Sequence, residues 1–282
     1  MPTLAESRSA RLPDRVLAVA VPVLVVVFVV APRVVAARLA GTGFAGDTEM
    51  RDALAVAFGA YWDAGGRALT PELAAVVDYW HWYHVVKAVV AAIQLVVLAV
   101  ALARVWRAWA RPAWARRAAA APLAATGLGA TALAVLALTA LAANVQGALA
   151  PLASLLPLLT DRPSAASAAV LDQVRSRLDR VAEDGTPAPP ALDALITDFA
   201  RYHTVMVAVA VVAAAALLAV TALLWRRCAR TDRGDRRARR LLAGYAVLTA
   251  VLTVGALIVA GANATTAAEP VPALSAFFDG GW

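Results

Sequence analysis

Apolar residues run along the chain in five long stretches, none of which contains an acidic residue. Each stretch is about 20 residues long, the length that an α-helix needs to cross about 30 Å of hydrocarbon. The pattern predicts an all-α integral membrane fold with about five transmembrane helices. We place these helices at residues 16–35, 85–106, 123–145, 204–225 and 241–262.

The first apolar stretch has two interpretations. It contains Pro22 and Pro32, which membrane helices tolerate where neighbouring groups satisfy the freed carbonyls. The alternative is a cleaved signal peptide with Arg8, Arg11 and Arg15 as its basic start. The apolar run is longer than is usual for a signal peptide, which favours a retained transmembrane helix.

Charge alternates between the segments that join the predicted spans. Arginine is concentrated in residues 1–15, 107–122 and 226–240, whereas residues 36–84 and 146–203 are acidic on balance. Since positively charged segments stay in the cytoplasm, the N-terminus is predicted to be cytoplasmic and the C-terminal tail to lie outside. The positions of the basic segments then indicate membrane topology and do not indicate nucleic-acid binding. Anionic lipid head groups are a further predicted partner of the two arginine links.

The composition agrees with a membrane protein. Hydrophobic residues make up 62% and charged residues 16% of the 282 residues, whereas soluble chains are about half apolar and a quarter charged. Every basic residue except Lys87 is arginine, and Cys228 is the only cysteine, so no intramolecular disulfide can form. In this composition the chain resembles uncharacterised multi-pass membrane proteins of high-GC actinobacteria. The resemblance implies a bacterial plasma membrane but assigns no functional residue.

The chain aligns with itself at a fixed offset of 119 residues. His84 is matched by His203, and Asn144 is matched by Asn263, although the chain has three histidines and two asparagines in all. The same offset relates Pro71 to Pro190, Trp106 to Trp225 and Pro151 to Pro270. We therefore predict two tandem hairpin repeats after one N-terminal helix, each ending in a short outer tail, the second being 263–282. Because both repeats cross the membrane twice, they are parallel, with a pseudo-two-fold axis along the membrane normal.

The outer segments are predicted to be helical pairs that lie on or just above the outer leaflet. Apolar residues follow helical spacing around residues 50–61 and 71–82 in the first repeat, and around residues 170–181 and 191–201 in the second. An aromatic run lies just before the second predicted transmembrane helix: Tyr79, Trp80, Trp82 and Tyr83. We interpret this run as an interfacial belt, with an aromatic binding cup as the alternative.

Motifs for chemistry are scarce. The sequence contains no phosphate-binding loop, nucleophile elbow, paired-cysteine site or zinc-protease motif, which favours a protein that is not an enzyme.

The leading hypothesis is a structural or accessory membrane protein that presents its outer helices to lipids or partner proteins. The alternative is a small transporter or channel with its site between the repeats, although ion-coupled transporters usually keep carboxylates in their spans. Its candidate polar residues are Gln94, Thr126, Thr131, Thr221, Tyr245 and Thr249. Gln94 is predicted to form an interhelical hydrogen bond, with a substrate contact as the alternative.

The histidines are the remaining candidate site. His84 and Asn144 lie at the outer ends of the two helices of the first predicted hairpin, and His203 and Asn263 repeat this placement. We predict that each histidine bonds the asparagine of its own hairpin and fixes how the two helices meet. The alternative is a metal or haem site formed by His84 and His203, with His81 as a third metal ligand. The structural interpretation is favoured, so no cofactor is predicted.

Overall fold

The structure, a computed structural model, describes residues 14–109, 120–161, 163 and 165–280, which are almost entirely helical. The nine helices of these residues are α1 (Asp14–Ala40), α2 (Asp47–Ala64), α3 (Pro71–Trp109), α4 (Ala120–Leu149), α5 (Pro151–Thr160), α6 (Ala165–Asp184), α7 (Pro190–Arg230), α8 (Arg236–Ala268) and α9 (Pro270–Phe278). Residues 1–13 of the predicted basic segment 1–15 lie outside the described residues. Residues 110–119 of the first arginine link also lie outside them.

Five of these helices, α1, α3, α4, α7 and α8, are long and apolar enough to cross a membrane, as the sequence predicted. Their apolar side chains are largely exposed; Val212 of α7 and Ile258 of α8, for example, are 70% and 66% exposed. Such extensive apolar surface is unfavourable in water and favourable in lipid. The chain is therefore a multi-pass membrane protein with an all-α fold.

Helices α3 and α7 are longer than a membrane requires. They contain 39 and 41 residues, and 41 residues correspond to about 60 Å of helix, twice the hydrocarbon thickness. The separate helices predicted at residues 71–82 and 191–201 are instead the first turns of α3 and α7. Each of these helices thus carries the chain without interruption from one end of the molecule to the other.

The helices after α1 fall into two series of the same order, α2–α5 and α6–α9. Their lengths are 18, 39, 30 and 10 residues in the first series and 20, 41, 33 and 9 in the second. Four of the helices begin with a proline at the offset found in the sequence: Pro71 and Pro190, Pro151 and Pro270. Proline suits the first turn because its missing N–H would have no helical partner there. Gly65 and Gly185 follow the ends of α2 and α6 with φ values of 66° and 62°, a conformation that favours glycine.

The membrane helices pack as two hairpins. Helix α3 packs along α4, and α7 packs along α8. The hairpins meet where α4 contacts α7, and α1 packs against α3. At the contact of α1 with α3, the Lys87 ammonium lies 4.8 Å from the ring centre of Phe28, a cation–π contact that shields the charge.

The short helices form what we call the helical cap: α2, α5, α6 and α9 together with the first turns of α3 and α7. They enclose a single apolar core, although the sequence predicted separate helical pairs on the leaflet. The most deeply buried side chains of this core include Leu54, Phe58, Leu73, Leu155, Leu178, Leu192 and Leu274. Tyr79 is only 3% exposed and belongs to the core, while Trp80, Trp82 and Tyr83 pack partly buried against it. The aromatic run therefore packs in and against the core of the helical cap.

The opposite end of the molecule is rich in arginine, and we call it the arginine end. It comprises the last turn of α3, the first turns of α4, the last turns of α7 and the first turns of α8. Helix α8 begins after Asp235, whose carboxylate accepts a hydrogen bond of 3.1 Å from the Ala238 amide. The predicted basic segment 226–240 thus comprises the end of α7, a five-residue connection and the first residues of α8, whose start is capped by Asp235.

Candidate functional site

The two histidine–asparagine pairs join the helices of the two hairpins. His84 of α3 lies with its Nδ1 2.8 Å from Oδ1 of Asn144 on α4. His203 of α7 lies with its Nδ1 2.8 Å from Oδ1 of Asn263 on α8. Both contacts are just below the helical cap, where each hairpin emerges from its span. The structure therefore brings each histidine to the asparagine of its own hairpin with the same atoms at the same distance.

The asparagine amides fix the protonation of the histidine rings. Nδ2 of Asn144 donates to the Ala140 carbonyl at 2.7 Å, and Nδ2 of Asn263 donates to the Val259 carbonyl at 2.8 Å. Each amide oxygen is thus left as an acceptor, so the histidine Nδ1 must carry the proton. The Nε2 atom of each neutral ring then has a free lone pair, the form in which imidazole binds metals or accepts hydrogen bonds.

The two histidines differ in what surrounds them. The His84 ring meets the Trp80 ring edge-to-face at 4.6 Å, and a Cβ atom added at Gly147 would lie 2.8 Å from three atoms of the imidazole. Its buried Nε2 has no hydrogen-bond partner among the described residues. His203 lies 4.7 Å from the Phe199 ring, and its partner Asn263 is less buried than Asn144. The His84 contact is therefore the more tightly packed of the two.

His81 is not grouped with the other histidines as the alternative metal site would require. Its Nδ1 lies 2.7 Å from the Ala148 carbonyl at the end of α4. Within the described part of the chain, no three His, Cys, Asp or Glu side chains are grouped closely enough to hold a metal ion. His81 instead adds a second contact between α3 and α4 beside the His84 pair.

Gln94 is buried near the middle of the α3 span. It is 8% exposed, and neither its Nε2 nor its Oε1 has a hydrogen-bond partner among the residues that the structure describes. The predicted interhelical hydrogen bond is thus not among its contacts. Leaving a buried amide unpaired costs about 1–3 kcal/mol, so the position is unusual for a purely structural residue.

Four of the other polar side chains predicted for a transport site form two hydrogen-bonded pairs. Thr131 bonds the Tyr245 hydroxyl at 3.1 Å near the arginine end, and Thr221 bonds Thr249 at 2.7 Å between α7 and α8. Thr126 is exposed. The two bonded pairs join neighbouring helices, so their hydroxyl groups already have hydrogen-bond partners within the protein.

Hydrogen bonds across the helical cap join its two halves. The Tyr61 hydroxyl of α2 donates to the Ala191 carbonyl of α7 at 3.1 Å, and the Trp62 indole donates to Gln173 of α6 at 3.1 Å. Burial raises the pKa of the Tyr61 phenol, against a smaller opposing effect of Arg67, so the group remains a donor. The two series of helices are thus bonded to each other as well as packed.

The sequence did not identify two polar residues that form structural hydrogen bonds. One fixes the start of α5, and the other joins α4 to α7. Asp198 of α7 accepts a hydrogen bond of 2.8 Å from the amide of Ala153 in the first turn of α5. Gln146 of α4 donates to the Tyr202 carbonyl of α7 at 3.1 Å. The sequence signal available was Pro151, since proline favours the first turn of a helix, but only the fold reveals which carboxylate reaches the free amides.

Neither a protein-family model, a curated protein nor a solved structure matches this chain.

Proposed function

We propose that this multi-pass membrane protein is a structural or accessory component and not an enzyme. It presents the helical cap outside a bacterial plasma membrane to lipids or to a partner protein. The observation that carries the proposal is the single core of the cap, to which both series of helices contribute. A rigid body of this kind provides a fixed surface for recognition.

The long helices support this role mechanically. Because α3 and α7 run unbroken from the membrane into the helical cap, the cap is held at a set height and orientation. The histidine–asparagine pairs lie at the junction and fix how each hairpin meets the cap. We regard these pairs as structural clasps and not as a cofactor site.

The distribution of charge supports the proposed orientation. The arginine end carries eight arginines and two acidic residues in residues 226–240, whereas the acidic residues of the first outer segment lie in or beside the cap. Arginine-rich segments remain in the cytoplasm, so the cap faces outward. The matching order and lengths of α2–α5 and α6–α9 further support an internal duplication, which explains why two similar hairpins build one cap.

A transporter is the second candidate, and Gln94 is the observation that favours it. A buried amide without partners in a membrane span is a group that a polar solute or water could engage. Against this candidate, the remaining polar side chains are either paired with each other or exposed.

A photocrosslinking amino acid placed at two matched positions tests the proposal. Val56 of α2 is 76% exposed on the cap, and Val251 of α8 is 62% exposed in a membrane span. In native membranes, the probe at position 56 is expected to give a discrete adduct with one protein, while the probe at position 251 reacts only with lipid.

The transporter candidate predicts a different outcome. In a Cys228→Ser background, a Gln94→Cys variant would react with small membrane-impermeant thiol reagents if a water-filled path reached it. Reaction at position 94 together with no protein adduct at position 56 would contradict the accessory role. An unreactive Cys at position 94 and a discrete adduct at position 56 are the results that we expect.

A further inference from the structure

A cleft opens at the arginine end between α3, α4 and α8. Its volume is about 390 Å³, within the usual range of about 300–1,000 Å³ for sites that bind small molecules. Trp106 and Trp109 of α3 form one wall, and Tyr245 of α8 meets the Trp106 ring at a centre-to-centre distance of 4.9 Å. The lining is otherwise almost wholly aliphatic, with Arg240 at the edge.

Two glycines, Gly127 and Gly244, line this cleft. Gly127 of α4 lies where an added Cβ would come within 3.3 Å of Val105, so α3 and α4 approach closely at the base. Gly244 of α8 also lines the cleft, but an added Cβ there would meet no atom within 4 Å. A side chain at position 244 therefore has open space to occupy.

The charge at the edge of the cleft is unbalanced. Arg240 has no hydrogen-bond or ion-pair partner among the described residues, and it follows Arg236, Arg237 and Arg239 on the first turns of α8. Asp235, the nearest acidic residue in the chain, caps the helix through Ala238. A guanidinium beside an apolar cleft at the end of a membrane span matches a molecule with an anionic head and an apolar tail.

We propose that this cleft binds one anionic phospholipid of the cytoplasmic leaflet. An acyl chain lies against Trp106, Tyr245 and Gly244, and the phosphate accepts hydrogen bonds from Arg240. Guanidinium groups bind phosphate oxygens in a forked geometry, and tryptophan rings favour the depth of the membrane interface. The leaflet rests on the orientation in the proposed function, whereas the cleft and its ligand chemistry do not.

Native mass spectrometry of the purified protein in detergent tests the site. Phosphatidylglycerol, phosphatidylcholine and inorganic phosphate serve as separate probes. The wild-type protein is expected to retain one phosphatidylglycerol in preference to phosphatidylcholine and to show no affinity for phosphate alone. Arg240→Gln should weaken phosphatidylglycerol binding about fivefold, the effect of one basic residue at an anionic lipid surface. The matched Arg230→Gln variant, at the end of α7 and outside the cleft, should not.

The apolar part of the site is tested by filling it. Gly244→Leu should abolish binding of both lipids, while Gly255→Leu, on the same helix and also in open space, should bind like the wild type. Equal binding of the two lipids, equal effects of Arg240→Gln and Arg230→Gln, or full binding by Gly244→Leu would each overturn the proposal. The assay in detergent requires neither an orientation nor a partner of the cap, so its failure is distinguishable from failure of the proposed function.

Discussion

Replacing Leu54 by Ala is expected to lower the free energy of unfolding by about 2–5 kcal/mol, the usual cost of removing a buried leucine side chain. Leu54 is fully buried on α2, where the two series of helices share the core of the helical cap. Its loss removes apolar contacts and leaves a cavity that the surrounding helices of the cap can fill only in part. Denaturant-induced unfolding in detergent, followed by circular dichroism, measures the change.

The matched control is Val56→Ala, two residues along the same helix. Val56 is 76% exposed, so its truncation should change the free energy of unfolding by no more than about 0.5 kcal/mol. Because the core is shared, Leu178→Ala in α6 should also increase trypsin cleavage after Arg51 in α2. Equal stability of the Leu54 and Val56 variants, or cleavage that stays confined to α6, would contradict a single core.

The second large effect is expected at Gly147. A Cβ atom there would approach the His84 ring to 2.8 Å, and that ring is held by Asn144 and Trp80. Gly147→Ala should therefore force the imidazole to move and cost about 1–3 kcal/mol, the usual range for an overpacked core. Thermal denaturation in detergent gives the corresponding fall in melting temperature.

Gly129→Ala provides the comparison on the same helix, because an added Cβ there meets no atom within 4 Å. It should leave stability unchanged or raise it by up to about 1 kcal/mol, since alanine favours a helix over glycine. In the His84→Ala background the Gly147→Ala substitution should lose its cost, because the ring is gone. If Gly147→Ala resembled Gly129→Ala in the wild-type background, the close packing of His84 would be refuted.

The five membrane helices could be predicted from sequence because the constraint on them is local. An uninterrupted apolar run of the right length has few alternatives to a spanning helix, whatever its neighbours are. The placement of each histidine near an asparagine also follows from the sequence, since both residues lie at the same ends of adjacent helices. The close contact of His84 with Gly147 does not, because it depends on how near α3 and α4 approach.

The helical cap could not be predicted because its determinants are not local. The apolar faces of α2 and α6 are visible as helical periodicity, but periodicity does not reveal whether a face meets lipid or another helix. The same ambiguity led to the interfacial assignment of Tyr79, which is in fact in the core. Gln94 shows that a polar residue in a predicted span does not reveal its partner. Its polarity predicted an interhelical hydrogen bond, but the fold supplies no partner among the described residues.

A disulfide between the two halves of the cap tests the central claim most directly. Gly59 of α2 and Val170 of α6 face each other, with 3.9 Å between an added Cβ at position 59 and the Cγ2 of Val170. In a Cys228→Ser background, Gly59→Cys with Val170→Cys should crosslink in intact cells on addition of a membrane-impermeant oxidant, because the pair is close and lies outside in the proposed orientation. Ala60→Cys with Val170→Cys should remain reduced, because Ala60 is exposed on the neighbouring face of α2. Non-reducing peptide mapping that found no 59–170 disulfide, or equal crosslinking of both pairs, would contradict a cap that both halves build outside the membrane.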